Sequence, residues 1–243
     1  MIVMFTDFGR DGPYVGQMEA VLACAAPDVP RISLMHDAPV CNPRLSAYLL
    51  AALLDHVPCG VTVLAVVDPG VGSRRRGLVI HTQSHVLVGP DNGLLAIAAR
   101  RQGPASWYAI DWVPENLSAS FHGRDWFAPV AARLATGKEV SLCPCAPGIG
   151  VDWPDVCHEV IYVDHFGNLM TGIWRNELSK DQLLSVGDRI IAHARTFAEV
   201  PEGGLFWYEN SQGLIEIAAN RGRAAECLNA GIGTKVSIVE DGL

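Results

Sequence analysis

No apolar run in this sequence approaches the roughly 20 residues that a membrane-spanning helix needs, although 49% of its residues are hydrophobic and its mean hydropathy is +0.21. Charge is scarce. Only 18% of the 243 residues are charged, the net charge is -8, and no basic block stands anywhere. A phosphate-backbone partner needs concentrated positive charge, so nucleic acid is excluded. The chain opens Met1-Ile2-Val3-Met4-Phe5 and meets Asp7 at once, without the basic start of a secretory signal. The expected compartment is the cytoplasm. Seven cysteines are scattered, and the tight pair around Pro144, Cys143 and Cys145, does not have a zinc-knuckle spacing. Asp164 with His165 finds no HxH, HExxH or CxxC partner, so no metal site is expected. The Gly-rich segment Asp68-Pro69-Gly70-Val71-Gly72-Ser73-Arg74-Arg75 is neither a Walker A loop nor GxGxxG, which leaves phosphate binding weakly supported. Internal repeats and low-complexity tracts are missing too.

What is present reads as an α/β fold. Residues 2–5 form a short buried strand and 14–25 a helix, followed by a strand at 31–35. Pro43 suits the first position of the Ala- and Leu-rich helix that runs to His56. The continuous apolar, β-branched run 61–67 marks a strand covered on both faces. Strands at 78–81 and 86–88, then helices at 94–101 and 126–135, complete an alternation that predicts a mainly parallel sheet flanked by helices. The texture changes after Gly137. Segment 141–156, with Cys143-Pro144-Cys145, Pro147 and Trp153-Pro154, has a linker composition. Beyond it lie only short strands, at 160–163, 189–192, 205–208, 214–217 and 235–239. The expected organisation is a catalytic α/β domain over 1–140, the linker, and a small antiparallel β-barrel over 157–243.

Polar clusters with glycine fall where strands end, the usual ligand edge of an open α/β sheet. They are Thr6-Asp7-Phe8-Gly9, the 68–75 segment, Gly89-Pro90-Asp91-Asn92-Gly93 and Phe121-His122-Gly123-Arg124-Asp125. In the second domain, Asp164-His165-Phe166-Gly167-Asn168 and Glu209-Asn210-Ser211-Gln212-Gly213 follow the same habit. Taken singly, each reads as a turn whose Asp or Asn caps backbone groups.

Together, in this order along nearly the whole chain, these clusters resemble the family of S-adenosylmethionine hydroxide adenosyltransferases, relatives of the bacterial fluorinase and chlorinase. Tyr14-Val15-Gly16 and Leu214-Ile215-Glu216-Ile217-Ala218 belong to the same pattern. The resemblance implies hydrolysis of S-adenosylmethionine to adenosine and methionine without any cofactor. It also implies a homotrimer with sites where one subunit's N-domain meets its neighbour's C-domain. Carried over, it makes Asp68, Arg75 and His122 the water-handling triad and gives Asp7 the ribose hydroxyls. Asp164 and Ser211 take the methionine amino and carboxylate ends, while Phe166, Asn168 and Phe197 border the adenosine. The chain departs from the family at Cys41-Asn42, Gln212 and Gly172.

A sulfonium leaves as a neutral thioether, which needs neither a proton donor nor a Lewis acid. What remains is alignment and the activation of water. Family halogenases carry Tyr where this chain has Asp68, and a desolvated halide beside a carboxylate suffers like-charge repulsion. Water does not. Asp68 thus favours hydrolysis over a halide-using adenosyltransferase, and the triad as a set speaks against a non-catalytic S-adenosylmethionine or adenosine sensor.

Overall fold

A computed structural model describes residues 1–239 of the chain, which divides into two compact units between Trp153 and Pro154. The first unit runs β1 (Ile2–Thr6), α1 (Pro13–Ala25), β2 (Arg31–Met35), α2 (Pro43–Leu54), β3 (Val61–Val66), β4 (Gly77–His81), β5 (His85–Pro90), α3 (Ala96–Arg101), β6 (Ser106–Ile110), a π-helical turn (Gly123–Phe127), α4 (Ala128–Ala135) and β7 (Leu142–Pro144). Every residue of β1 and β3 is buried, as the unbroken apolar runs require. On one face Ile2, Met4, Leu64 and Val66 join Met18 and Leu22 of α1 and Val130 of α4 in one core. Each such fully buried side chain stabilises by roughly 1.5–3 kcal/mol. Helix α2 starts as its sequence suggests. The Asn42 side chain accepts from the Leu45 N–H at 3.0 Å, and Pro43 occupies the first turn.

The seven strands lie in the order β2-β1-β3-β5-β4-β6-β7. Pairing is parallel from β2 to β5 and antiparallel from β5 to β7, so the sheet is mixed, not mainly parallel as expected. The cause is local. Only residues 82–84 separate β4 from β5, and Thr82 Oγ1 accepts from the Ser84 and His85 N–H groups. A connection that short permits only an antiparallel pair. The expected linker also turns out structured. Its β7 pairs with β6, and Arg100 donates to the carbonyls of Val151 and Trp153, both at 2.9 Å. The segment up to Trp153 therefore belongs to the first unit.

The second unit carries β8 (Cys157–Val163), β9 (Leu169–Trp174), β10 (Leu183–Val186), β11 (Arg189–Ile191), β12 (Leu205–Glu209), β13 (Leu214–Ala219), α5 (Ala224–Cys227) and β14 (Ser237–Val239). It is antiparallel, as expected, but it forms two sheets, β12-β13-β9-β8 and β11-β10-β14. Among the described residues no continuous ladder closes a barrel. Isolated bridges, Glu159 to Lys235 and His193 to Trp207, are what join the strand edges. Short strands of three residues at β11 and β14 leave too few ladder positions for more.

Candidate active site

Parallel pairing of β1 with β3, Thr6 opposite Val66, sends both strands out at one edge of the first sheet. Asp7 follows β1 and Asp68 stands just beyond β3, so two carboxylates emerge side by side. The loop after Asp68 turns sharply at Gly72, whose φ is +79° and whose Cβ position is filled by the Ala119 carbonyl. Glycine alone allows this approach. It lays the 68–75 loop against the segment that ends in His122.

Arg75 consequently returns to Asp68. Its Nε donates to Asp68 Oδ1 at 2.8 Å and its Nη2 to Oδ2, a bidentate pair with side chains only 8% and 4% exposed. The same Nη2 lies 2.9 Å from His122 Nδ1. Guanidinium only donates, so Nδ1 accepts and the proton of neutral His122 sits on Nε2. Burial and the Arg75 charge hold the His122 pKa below its ordinary value, which keeps the ring neutral. Trp126 and Phe127 of the π-helical turn cover the Arg75 guanidinium, with ring centroids 5.9 and 5.0 Å away.

Asp7, Asp68 and His122 line one cavity of about 180 Å³ with Phe8, Cys41 and Phe121. Asp7 Oδ2 accepts from the Cys41 N–H at 2.8 Å. Burial pushes the Asp7 carboxyl up, and the nearby Asp68 charge adds to this. Cys41 itself holds a left-handed backbone, φ +53°. Sequence reasoning found these carboxylates but not this backbone donor, because an N–H leaves no mark on residue identity.

The 89–93 cluster and the Arg124-Asp125 end of the 121–125 cluster hold the surrounding loops. Asn92 Nδ2 donates to the Val67 carbonyl at 2.8 Å and steadies the approach to Asp68. Asp91 pairs with Arg76 and accepts from the Ile149 N–H. Asp125 pairs with Arg124 and accepts from the Ser118 N–H, so it clamps the loop before His122.

In the second unit, Asp164, Phe166, Asn168, Phe197 and Ser211 all line a single cavity of about 820 Å³. Asp164 Oδ1 accepts from the Asn168 N–H at 2.8 Å and Oδ2 from Asn168 Nδ2 at 2.9 Å. That turn, made possible by Gly167 at φ +83°, leaves Phe166 70% exposed. Phe197 stacks edge-on against Phe206 at 4.9 Å. Gln212 lines the cavity and donates to Ser211 Oγ at 3.1 Å. Gly172, by contrast, packs against the backbone of Cys157, where a Cβ would collide. Tyr208 and Glu216 line this cavity as well, and sequence reasoning gave neither a role. The available signal was a glutamate inside the apolar run 214–218. Among the described residues, no group of three or more His, Cys, Asp or Glu side chains is arranged to hold a metal ion, and no helix is long and apolar enough to cross a membrane.

Each unit carries its own set of candidate residues, and both units match one family. Its N-terminal domain model, SAM hydroxide adenosyltransferase, covers residues 2–143, and its C-terminal domain model covers residues 158–237. The chain belongs to the SAM hydroxide adenosyltransferase family. Similar members include an (R)-S-adenosyl-L-methionine hydrolase of Salinispora arenicola, 41% identical, with 92% of this chain and 91% of that protein covered. A protein of the same name from Thermus thermophilus is 38% identical, with 98% and 99% covered. The fold agrees with this family assignment. The crystal structure of an uncharacterized conserved protein from Thermotoga maritima matches with a TM-score of 0.84 at 32% identity, covering 99% of this chain and 100% of that one.

Proposed function

We propose that this chain hydrolyses S-adenosylmethionine to adenosine and L-methionine by attack of water at the ribose C5′. The observation that carries the reading is the hydrogen-bonded set Asp68, Arg75 and His122, which opens onto the same cavity as Asp7. The hydrolase names of the similar family members support it. Water's oxygen bonds to C5′ while the C5′–S bond breaks, and its electron pair returns to sulfur. The leaving group is neutral, and one proton is released. Asp68, with each oxygen already bonded to Arg75, keeps lone pairs free to take that proton. His122, with Nδ1 turned to Arg75, presents Nε2–H as a donor that orients the water oxygen. Arg75 holds both groups and stabilises developing hydroxide charge.

Asp7 takes the ribose hydroxyls in this reading. Asp164 and Ser211 take the methionine ends, and Phe166, Asn168 and Phe197 the adenosine. The reaction is metal-independent, because a thioether leaves without an electrophile. The assembly is a homotrimer, supported by Phe166 at 70% and Tyr14 at 50% exposure, aromatic surface that a lone subunit leaves in water. The scatter of the cysteines along the sequence, outside any disulfide-framework spacing, supports a reducing compartment such as the cytoplasm.

Asp68→Ala should lower adenosine formation at least about tenfold, since positioned acid–base groups contribute roughly 10²–10⁴-fold. Asp68→Asn, which keeps a partner for Arg75, should lose rate as well. Binding of S-adenosylmethionine, measured by calorimetry, should change little in either, whereas Asp7→Ala should weaken it. Parental turnover by both Asp68 variants would sink the reading.

A further inference from the structure

Glu216 is a carboxylate for which the proposed reaction has no task. It stands in β13 between Ile215 and Ile217, which both point into the core of the second unit. Strand alternation turns Glu216 to the opposite face, and there it lines the cavity of Asp164 and Ser211 while remaining only 4% exposed. A carboxylate buried this deeply is destabilising unless hydrogen bonds hold it.

Its partners show what it does. One oxygen accepts from Tyr208 Oη and the other from Asn210 Nδ2, the latter at 2.8 Å. With its amide nitrogen engaged, Asn210 points Oδ1 at the N–H groups of Gln212 and Leu214, both at 3.0 Å. Ser211 lies inside that loop. A flipped Asn210 would set its NH₂ against two N–H donors, so the carboxylate selects the amide orientation that the turn needs. The second arm reaches Tyr208, whose ring leans on Phe197 at 5.7 Å between centroids.

We infer that Glu216 is a positioning residue for the substrate site, fixing the Ser211 turn through Asn210 and the Phe197 wall through Tyr208. The inference rests on the hydrolase reading for its substrate, but its geometry is independent of the chemistry. Glutamine at this position keeps both contacts, because its oxygen accepts from Asn210 and its NH₂ donates to Tyr208 Oη. Alanine keeps neither.

The test uses the full chain with Glu216→Ala and Glu216→Gln. Losing a buried hydrogen-bond partner corresponds to about a tenfold effect or more. Glu216→Ala should therefore raise KM for S-adenosylmethionine at least about tenfold while kcat stays within about threefold. Amide hydrogen exchange at Gln212 and Leu214 should accelerate by a similar factor. Glu216→Gln should restore both KM and exchange to near the parent. Unchanged KM and exchange in Glu216→Ala would overturn the inference. So would a Glu216→Gln enzyme as impaired as Glu216→Ala, which would make the charge itself the requirement. If the parent fails to hydrolyse S-adenosylmethionine, the hydrolase reading falls, and the exchange of the two amides still decides the positioning role. Should Glu216→Ala not fold, Asn210→Asp replaces it. That change sets two carboxyls in contact and should speed exchange at Gln212 and Leu214, and added Glu216→Gln should reverse the effect. Failure of the second change to restore slow exchange would count against the inference.

Discussion

At the residue scale, the two cavities hold ionisable groups whose states are imposed by burial and by their neighbours. His122 is kept neutral and Asp7 is pushed up, and burial also raises the Glu216 carboxyl and the Tyr208 hydroxyl. For Glu216 the sign follows from linkage. A folded pKa above the unfolded value means that the fold holds the proton more tightly. The stability linked to that proton is fully present below the unfolded carboxylate value, near 4.5, and is lost as pH rises through the raised value. Glu216→Gln has no such proton to lose. Its melting temperature relative to the parent should therefore climb as pH rises from about 4.5 toward neutrality, read by calorimetry across that range. A difference flat with pH would show that Glu216 titrates normally. Residue identities alone pointed to side chains that the fold sets in cavities. Asp7, Asp68, His122, Asp164 and Ser211 all line cavities. Glu216 escaped notice because its role depends on which strand face it occupies, and that is settled only when Ile215 and Ile217 enter the core.

At the element scale, loops, not strands, decide whether these groups meet. The 68–75 loop depends on Gly72, where a Cβ would need both a left-handed backbone and the space of the Ala119 carbonyl. Gly72→Ala should destabilise by about 1–3 kcal/mol, seen as a lower melting temperature. It should also cut kcat more than it changes KM, because Arg75 would no longer reach Asp68 and His122 together. A variant with lost stability and full kcat would show that the loop tolerates displacement without harm to the site. Many of the strands and helices were legible, whereas β6, β7, β9 and β10 went unread. Continuous apolar runs marked β1 and β3, and Pro43 marked the start of α2. Pairing direction was harder to read, since an apolar strand looks alike in either orientation. The hydrogen bonds of Thr82 that force β4 and β5 into an antiparallel pair appear only in three dimensions.

At the scale of the whole molecule, composition pointed to an α/β part and a β part, and the chain divides between Trp153 and Pro154. The contacts of β7 and Arg100 that carry 141–153 into the first unit are mostly backbone bonds, invisible in residue types. The exposed rings of Phe166 and Tyr14 bear on assembly. Light scattering of the purified chain should give three times the subunit mass of 26.1 kDa, and a fully active monomer would remove the trimer from the proposal. Strand order also dictates a sequence of events in time. Residues 77–81 and 85–90 meet across three intervening residues, whereas Ile2 must find Thr62. Closing the shorter loop costs less entropy, and hairpins form within about 1–10 μs. Sequence separation alone therefore predicts that the β4–β5 hairpin forms first and that the long-range parallel ladder of β1 with β3 closes later. Asp7 and Asp68 become neighbours only at that late step, so on this order a half-folded chain holds both carboxylates and has not yet made the cavity they line.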